Sequence, residues 1–199
     1  MVRKRQQRQS LPARRRLQLL TLPLAARAGW RAFTIAASTS TAAYAAEYLS
    51  VEAAQRAAFP EATAFVAVPR ALDAAARRKL ADVANPPGAR DPLVWRATGS
   101  GGPLGLFMVD AVIGKQEYIT YSVAFDNAGR ILRLDVLQYR ETHGYEIRND
   151  RWRAQFVGKS AADPVALNSD IANISGATLS CRHVTDGVRR LLALRALVA

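Results

Sequence analysis

The chain has few of the residues that build disulfides and metal sites. Its 199 residues include one cysteine, Cys181, and two histidines, His143 and His183. A single cysteine cannot form an intramolecular disulfide, and we expect it to pack as a small apolar side chain. The sequence has no CxxC pair, histidine-rich tract or paired-carboxylate pattern, so it predicts no metal site.

Long apolar runs are missing as well. The run that begins at Leu17 is interrupted by Arg27 and Arg31, and no stretch reaches the roughly 20 apolar residues that a stable transmembrane helix needs. Half of the residues are nevertheless hydrophobic. A chain of this length and composition can bury one ordinary core, with a small accessory segment.

Acidic residues are absent from residues 1–45, which hold nine of the 28 Lys and Arg residues. The rest of the chain carries 19 basic residues against all 16 acidic ones, so the net charge of +12 is concentrated at the start. A protein body this close to neutrality lacks the basic face that phosphate backbones require. The charge distribution therefore excludes a nucleic-acid partner.

Residues 1–45 have the pattern of a targeting segment. A cationic lead is followed by the short apolar stretch "LQLLTLPLAA" and then by a small-x-small cleavage pattern at Ala43-Tyr44-Ala45. We therefore predict export to the periplasm or the outer face of the inner membrane, with a mature chain that begins near Ala46. Arg14-Arg15 is a weak twin-arginine candidate. A basic tail, an uncleaved anchor or a start codon assigned too early are the alternatives.

Residues 46–102 are expected to form a helical lead-in to the main domain. The segment "LSVEAAQRAAFPEA" predicts a short helix with Ser50 as its N-cap and Pro60 just beyond its end. The segment "RALDAAARRKLADVAN" predicts a second helix, because its apolar residues recur at helical spacing.

Residues 103–199 are expected to form the main domain. The segment "EYITYSVAFDNAGRILRLDVLQY" alternates apolar and polar residues around the turn Asp126–Gly129, which predicts a β-hairpin. The run "GLFMVDAV" predicts a third strand. The inward-facing side chains of the two hairpin arms are expected to be Ile119, Tyr121, Val123 and Phe125, and Leu132, Leu134 and Val136.

A C-terminal helix is expected to cover this sheet. Its apolar stripe consists of Val184, Val188, Leu191, Leu194 and Val198. Arg195 interrupts the stripe, so we expect the last turn to leave the sheet. The sequence thus predicts an α+β fold with a small antiparallel sheet under a C-terminal helix.

The string "SGAT", Ser175–Thr178, stands directly before this helix. Small residues at a helix N-terminus let an anion approach the unpaired N–H groups and the positive end of the dipole. The plain alternative is that Ser175 or Thr178 caps the helix while Gly176 makes the turn. The tetrapeptide alone leaves both interpretations open.

Three segments in fixed order resemble the FMN-binding domain family. They are "FDNAGRILRLDVLQYRETHGYEI", "WRAQFVGK" and "SGATLS", within residues 103–195. That family includes the C subunit of the Na+-translocating NADH:quinone reductase, the G subunit of the Rnf complex and small exported flavin carriers. The chain departs from its pattern at Ala172, where members often have aspartate, and at His143, where they have proline.

The resemblance implies a cofactor and the residues that hold it. FMN would be joined through its phosphate to the hydroxyl of Thr178 by a separate flavin transferase that uses FAD and Mg²⁺. The implied motif neighbours are Ser175, Gly176 and Ala177, and the residues implied to lie near the flavin are Glu141, Thr142 and Gly144.

Other residues have a functional and a structural interpretation side by side. Four aromatic residues are candidates for a flavin platform or for the core: Tyr139, Tyr145, Trp152 and Phe156. Lys159 could neutralise a phosphate or be solvated. His183 is expected to be solvated or to cap the helix.

These observations favour an exported electron carrier that works between membrane-associated redox partners. The protein would hold FMN covalently, and the flavin would supply the redox chemistry. The alternatives are a flavin-dependent reductase with its own substrate and a non-covalent FMN-binding sensor. No acid–base pair is evident beside the flavin motif, so no catalytic residue is predicted, and a carrier is favoured over a stand-alone enzyme.

Overall fold

Six antiparallel strands form one sheet in the computed structural model, which describes residues 46–69, 72–83 and 90–198. The strands are β1 (Ala46–Glu47), β2 (Ala64–Ala67), β3 (Leu93–Gly99), β4 (Gly102–Ile113), β5 (Tyr118–Asp126) and β6 (Ile131–Tyr139). The α-helices are α1 (Val51–Ala58), α2 (Ala74–Val83), α3 (Asp150–Ala154) and α4 (Thr178–Val198), with a 3₁₀ helix at Tyr145–Arg148. The predicted cleavage site at residues 43–45 lies outside the described residues.

The strands lie in the order β1-β6-β5-β4-β3-β2. From β2 to β6, neighbours in the sheet are also neighbours in the chain, and only β1 crosses to the far edge. The hairpin between β5 and β6 closes where the sequence predicts it, at the turn Asp126–Gly129. Gly129 has φ +85°, a left-handed conformation that glycine adopts without strain.

Helix α4 covers one face of the sheet. All five residues of its predicted stripe are buried there, which confirms the expected cover. Each fully buried Val or Leu side chain contributes about 1.5–3 kcal/mol of hydrophobic free energy. The last turn does not leave the sheet, contrary to expectation. Arg195 is directed to the β5–β6 turn, where Nη2 donates to the Asn127 carbonyl at 2.5 Å.

The predicted inward face of β6 is wrong at one position. Leu132 is 40 % exposed, whereas its neighbour Ile131 is buried. The pairing between β5 and β6 shifts register between Ala124 and Phe125, so Phe125 lies opposite Ile131. An irregularity of this kind inserts a residue and reverses the alternation of side chains beyond it. Leu134 and Val136 are buried as predicted.

The opposite face of the sheet has a smaller core under α1. Ala54 of α1 and Phe59 are buried there with Phe107 and Leu137 from the sheet. The aromatic rings adjoin one another, and the centroids of Phe107 and Trp95 lie 6.0 Å apart.

Residues 46–102 contain strands as well as the two expected helices. Helices α1 and α2 form, and Ser50 accepts a hydrogen bond from Ala53 N at 3.2 Å as the predicted N-cap. The same segment also contributes β1, β2 and β3, so it extends the sheet and is not purely helical. The predicted division at residue 103 falls inside β4, and the domain boundaries stay a prediction.

A buried ionic cluster joins α4 to the sheet. The Asp110 carboxylate accepts hydrogen bonds from Tyr121 OH, at 2.8 Å, and from Arg190. Desolvation and the Asp110 charge hold the pKa of the Tyr121 hydroxyl well above its ordinary value, so the hydroxyl keeps its proton and donates. Gly187 packs directly on Tyr121 OH, and a larger residue has no room at this position.

Candidate functional site

The SGAT segment forms the turn into α4. Gly176 has φ +86°, and α4 begins at Thr178. Ser175 and Gly176 are exposed, whereas Ala177 is buried against the core. The turn therefore presents Thr178 at the surface end of a 21-residue helix.

The Thr178 hydroxyl is partly exposed and has one side-chain partner. Thr178 Oγ1 accepts a hydrogen bond from Asn173 Nδ2 at 3.1 Å. Within the described residues, neither Ser175 nor Thr178 makes a side-chain hydrogen bond to an N–H group of α4. The first N–H groups of a helix have no partner inside it, so they remain open to an anion.

The segment Glu141–Gly144 packs against this turn. Gly144 has φ +86°, and a Cβ atom there would lie 2.6 Å from Tyr139 OH, 3.1 Å from Ser180 Oγ and 3.4 Å from Ala177 Cα. The absence of a side chain at Gly144 thus allows the segment to touch the first turn of α4. Two motifs that lie far apart in the sequence become neighbours.

A cavity of about 550 Å³ lies between the two motifs. Its walls are residues 176–180, residues 141–143, and Lys115 with Gln116 from the β4–β5 loop. Among the predicted site residues, Gly176, Ala177, Thr178, Glu141 and Thr142 line it. Gly144 lies behind the wall, and Ser175 does not line the cavity.

Glu141 holds the loop on the far side of the cavity. Its Oε1 atom accepts hydrogen bonds from the backbone N–H groups of Lys115, Gln116 (2.5 Å) and Glu117 (2.9 Å). Desolvation raises the pKa of the Glu141 carboxyl, but the three N–H donors outweigh it and bring the pKa below its ordinary value. The carboxylate is therefore charged at neutral pH.

A second hydrogen-bond network lies beneath the cavity. Tyr139 OH donates to the His143 carbonyl and lies 3.1 Å from Ser180 Oγ. Burial raises the pKa of Tyr139, although its hydrogen bond with Ser180 acts the other way. This network ties β6 to the 141–144 segment and to the first turn of α4.

The candidate platform aromatics divide into core and surface. Tyr139, Trp152 and Phe156 are buried in the core, with the Trp152 and Phe156 rings 5.1 Å apart and nearly perpendicular. Tyr145 is 58 % exposed. None of the four lines the cavity beside Thr178.

Two other candidates are bound within the protein. Lys159 is neither solvated nor free for a phosphate, because its Nζ donates to Asp170 Oδ2 at 2.8 Å. His183 is half-buried, and its Nδ1 lies 2.6 Å from the Ile113 carbonyl oxygen, which makes Nδ1 the donor. The expectation of a solvated or capping His183 is wrong.

Cys181 is fully buried, as expected of a small apolar side chain. Burial raises the pKa of its thiol, which disfavours the reactive thiolate.

A larger cavity of about 640 Å³ lies beside residues 172–174, which precede the SGAT turn. Trp152, Glu146 and Asn173 are among its lining residues, but Thr178 is not. The smaller cavity is the better candidate for the functional site, because it contains both motifs. Asn173 borders the larger cavity and donates to Thr178.

Several residues at the candidate site are not predicted by the sequence patterns. Lys115, Gln116, Ser180 and the Thr178 partner Asn173 were not among the predicted site residues. The loop carries no motif of its own, and its link to Glu141 joins residues 24 to 26 positions apart. Ser180 stands inside the quoted "SGATLS" string, which is the one signal that could have found it.

The described residues contain neither a metal-binding cluster nor a helix suited to span a membrane. No group of three or more His, Cys, Asp or Glu side chains is placed to hold a metal ion in residues 46–69, 72–83 and 90–198. Across the same part of the chain, none of the helices combines the length and hydropathy needed to cross a bilayer.

Comparison with known proteins gives a family match for the C-terminal part of the chain. No curated protein matches the chain. Residues 114–193 match the family model described as the FMN-binding domain. The match begins at the β4–β5 loop and includes the 141–144 segment, the SGAT turn and most of α4. Residues 114–193 thus match an FMN-binding domain, which supports flavin binding by this part of the chain.

Proposed function

We propose that this protein is exported, carries FMN covalently on Thr178 and passes electrons between membrane-associated redox partners. The observation that carries the proposal is the position of Thr178. Its hydroxyl is partly exposed at the start of a long helix and borders a cavity that also contains the second flavin motif.

The residues around Thr178 fit a phosphoester. An ester at Oγ1 would place the remaining phosphate oxygens beside the open N–H groups of α4, where the helix dipole favours negative charge. Gly176 and Ala177 leave the approach to Thr178 free of bulk, since no atom lies within 4 Å of a Cβ position at Gly176. The start of α4 is therefore suited to hold the phosphate.

The cavity fits the ring system of FMN. Its volume of about 550 Å³ lies within the roughly 300–1,000 Å³ of small-molecule sites. Glu141, Thr142 and Lys115 form the walls that would face the ring. The flavin supplies the redox chemistry when bound, while these residues orient it and set its electrostatic surroundings.

Attachment needs a donor and a second protein. The Thr178 hydroxyl oxygen would attack the flavin-side phosphorus of FAD, the bond to the AMP half would break, and the hydroxyl proton would pass to the transferase or to water. The products are FMN-modified Thr178 and AMP. A separate flavin transferase with Mg²⁺ is a proposed partner, in line with the resemblance. The covalent bond would prevent loss of the cofactor outside the cytoplasm.

A membrane redox protein is the proposed electron donor or acceptor. The concentration of positive charge in residues 1–45 supports export, since it matches a targeting segment. Rapid mixing of the loaded protein with membrane quinol separates a carrier from a sensor. A carrier is reduced and reoxidised as fast as electrons flow through the membrane redox proteins, whereas a sensor is not.

Mass spectrometry of the exported protein tests the proposal. The chain is produced with and without an active transferase, and Thr178→Val and Ser175→Ala are produced beside it. We expect one FMN increment on wild type only with the transferase, none on Thr178→Val, and retention on Ser175→Ala. The same spectra give the mature N-terminus, expected near Ala46.

Three outcomes would contradict the proposal or part of it. Covalent flavin on Thr178→Val would place the attachment elsewhere. Wild type that stays unmodified beside an active transferase would reduce the function to non-covalent FMN binding. An intact Met1 on soluble cytoplasmic protein would contradict export.

A further inference from the structure

The β4–β5 loop, residues 114–117, is the wall of the cavity that faces the start of α4. The loop closes tightly, with a hydrogen bond of 2.7 Å from Gly114 N to the Glu117 carbonyl. A Cβ atom at Gly114 would lie 2.6 Å from Glu141 Oε1. Only a glycine lets the carboxylate come this close to the loop.

Two side chains hold this loop, one through its N–H groups and the other through its carbonyl oxygens. Glu141 accepts the N–H groups of residues 115–117. His183 Nδ1 donates to the carbonyl oxygens at the end of β4, at 2.6 Å to Ile113 and 3.1 Å to Gly114. A short exposed loop ordinarily opens at little cost in free energy. The hydrogen bonds to Glu141 and His183 instead hold this loop in a fixed position.

Both side chains belong to elements that carry the flavin motifs. Glu141 opens the 141–144 segment, and His183 lies five residues after Thr178 on α4. The loop is therefore fixed relative to the two segments between which the flavin is proposed to bind. These bonds fix the loop to the two segments as well as to the sheet.

The loop brings a positive charge to the cavity. Among the described residues that line it, Lys115 is the one lysine or arginine. Lys115 is close enough to Glu141 for its charge to help lower the pKa of that carboxyl. The Lys115 charge thus acts on another residue of the cavity wall, Glu141.

We propose that Lys115 sets the reduction potential of the bound flavin, and that Glu141 and His183 are positioning residues that hold its loop in place. The proposal rests on the proposed function, because it requires FMN in this cavity. Reduction by two electrons and one proton leaves a negative charge on the flavin ring. A cation held nearby stabilises that charge and makes the potential less negative.

Potential measurements on flavin-loaded variants test the role of Lys115. Lys115→Gln is expected to give a more negative midpoint potential than wild type, and Lys115→Arg a potential close to wild type. Lys79→Gln, an exposed site on α2, is the matched control and should change nothing. The difference between Lys115→Gln and wild type should shrink at high salt, because added ions screen exposed charges.

Hydrogen exchange tests the positioning role of His183. In His183→Leu, we expect faster exchange of the amides of residues 115–117 and a potential shifted towards that of Lys115→Gln. His183→Asn keeps a donor near the position of Nδ1 and should restore both. Wild-type exchange and potential in His183→Leu would overturn the positioning role.

Failure of this inference differs from failure of the proposed function. Lys115→Gln that carries FMN on Thr178 with a wild-type potential would overturn the role of Lys115 and leave the carrier intact. Wild type that takes up no flavin beside an active transferase would instead contradict the carrier, and with it this inference.

Discussion

The chain begins two of its helices in opposite ways. Helix α1 starts after Ser50, whose hydroxyl oxygen accepts the Ala53 N–H and closes the end of the helix. Helix α4 starts at Thr178, whose hydroxyl oxygen accepts from Asn173 outside the helix. The Ser50 hydroxyl thus satisfies one N–H group of its own helix, whereas the Thr178 hydroxyl satisfies none of the N–H groups of α4.

The difference lies in how many N–H groups each helix start leaves free. A capped start is more stable and offers an anion fewer free N–H donors, because the cap oxygen satisfies one of the first four. An uncapped start gives up part of that stability and keeps a site for a phosphate. The start of α4 is supported instead from outside, by the 141–144 segment and the Tyr139–Ser180 contact.

The support of the α4 start gives the largest expected change in stability. Gly144→Ala must hold a side chain at φ +86° with Tyr139 OH 2.6 Å from its Cβ. We expect a loss of about 2 kcal/mol in unfolding free energy, measured by denaturant titration. Gly176→Ala has a similar φ but open space around its Cβ, so its cost should be smaller, about 1 kcal/mol. Equal losses of unfolding free energy in the two variants would mean that the close contact between Gly144 and Tyr139 OH does not affect stability.

The two helix starts should respond differently when the hydroxyl is removed. Ser50→Ala loses a cap and should cost about 1 kcal/mol in unfolding free energy. Thr178→Ala removes no cap, and its cost should stay within about 0.5 kcal/mol. Thermal and denaturant unfolding of the unloaded chains measure both. If Thr178→Ala proves as costly as Ser50→Ala, the comparison between the two starts is wrong.

The smallest expected effect is a pH dependence at Glu141. Desolvation raises the pKa of its carboxyl, but the backbone N–H donors lower it further, so the folded pKa lies below the ordinary 4.5. Its stabilisation is therefore full above pH 4.5 and is lost as the pH falls through the folded pKa. The difference in unfolding free energy between wild type and Glu141→Gln should shrink below pH 4.5. A difference that stays constant with pH would contradict this sign.

The sequence was most informative where periodicity is regular. The stripe on α4 and the hairpin around Gly129 follow from spacing and turn chemistry alone, and both are present. The prediction for Leu132 is wrong because a register shift in β6 breaks the alternation of its side chains. No local residue pattern indicates such a shift. Strand β2 is short and mostly exposed, so it has no apolar alternation from which it could be predicted.

The residues of the candidate site also differ in how well the sequence predicts them. Thr178 and the 141–144 segment were found by their motifs. The loop that carries Lys115 was not found, because its position depends on backbone groups that bond to Glu141 and His183. Contacts between a side chain and a distant backbone leave no residue pattern, so a single sequence does not reveal them.

The buried cluster of Asp110, Tyr121 and Arg190 has a mechanical consequence for the site. A stripe of Val and Leu side chains tolerates sliding by one helical turn, but a buried ion pair has its partner in one register only. Arg190 lies 12 residues after Thr178, about 18 Å along the helix at 1.5 Å per residue. The cluster therefore lies in the second half of α4 and holds this rigid helix in one register against the sheet. It fixes the axial position of α4, and with it the place at which Thr178 meets the cavity.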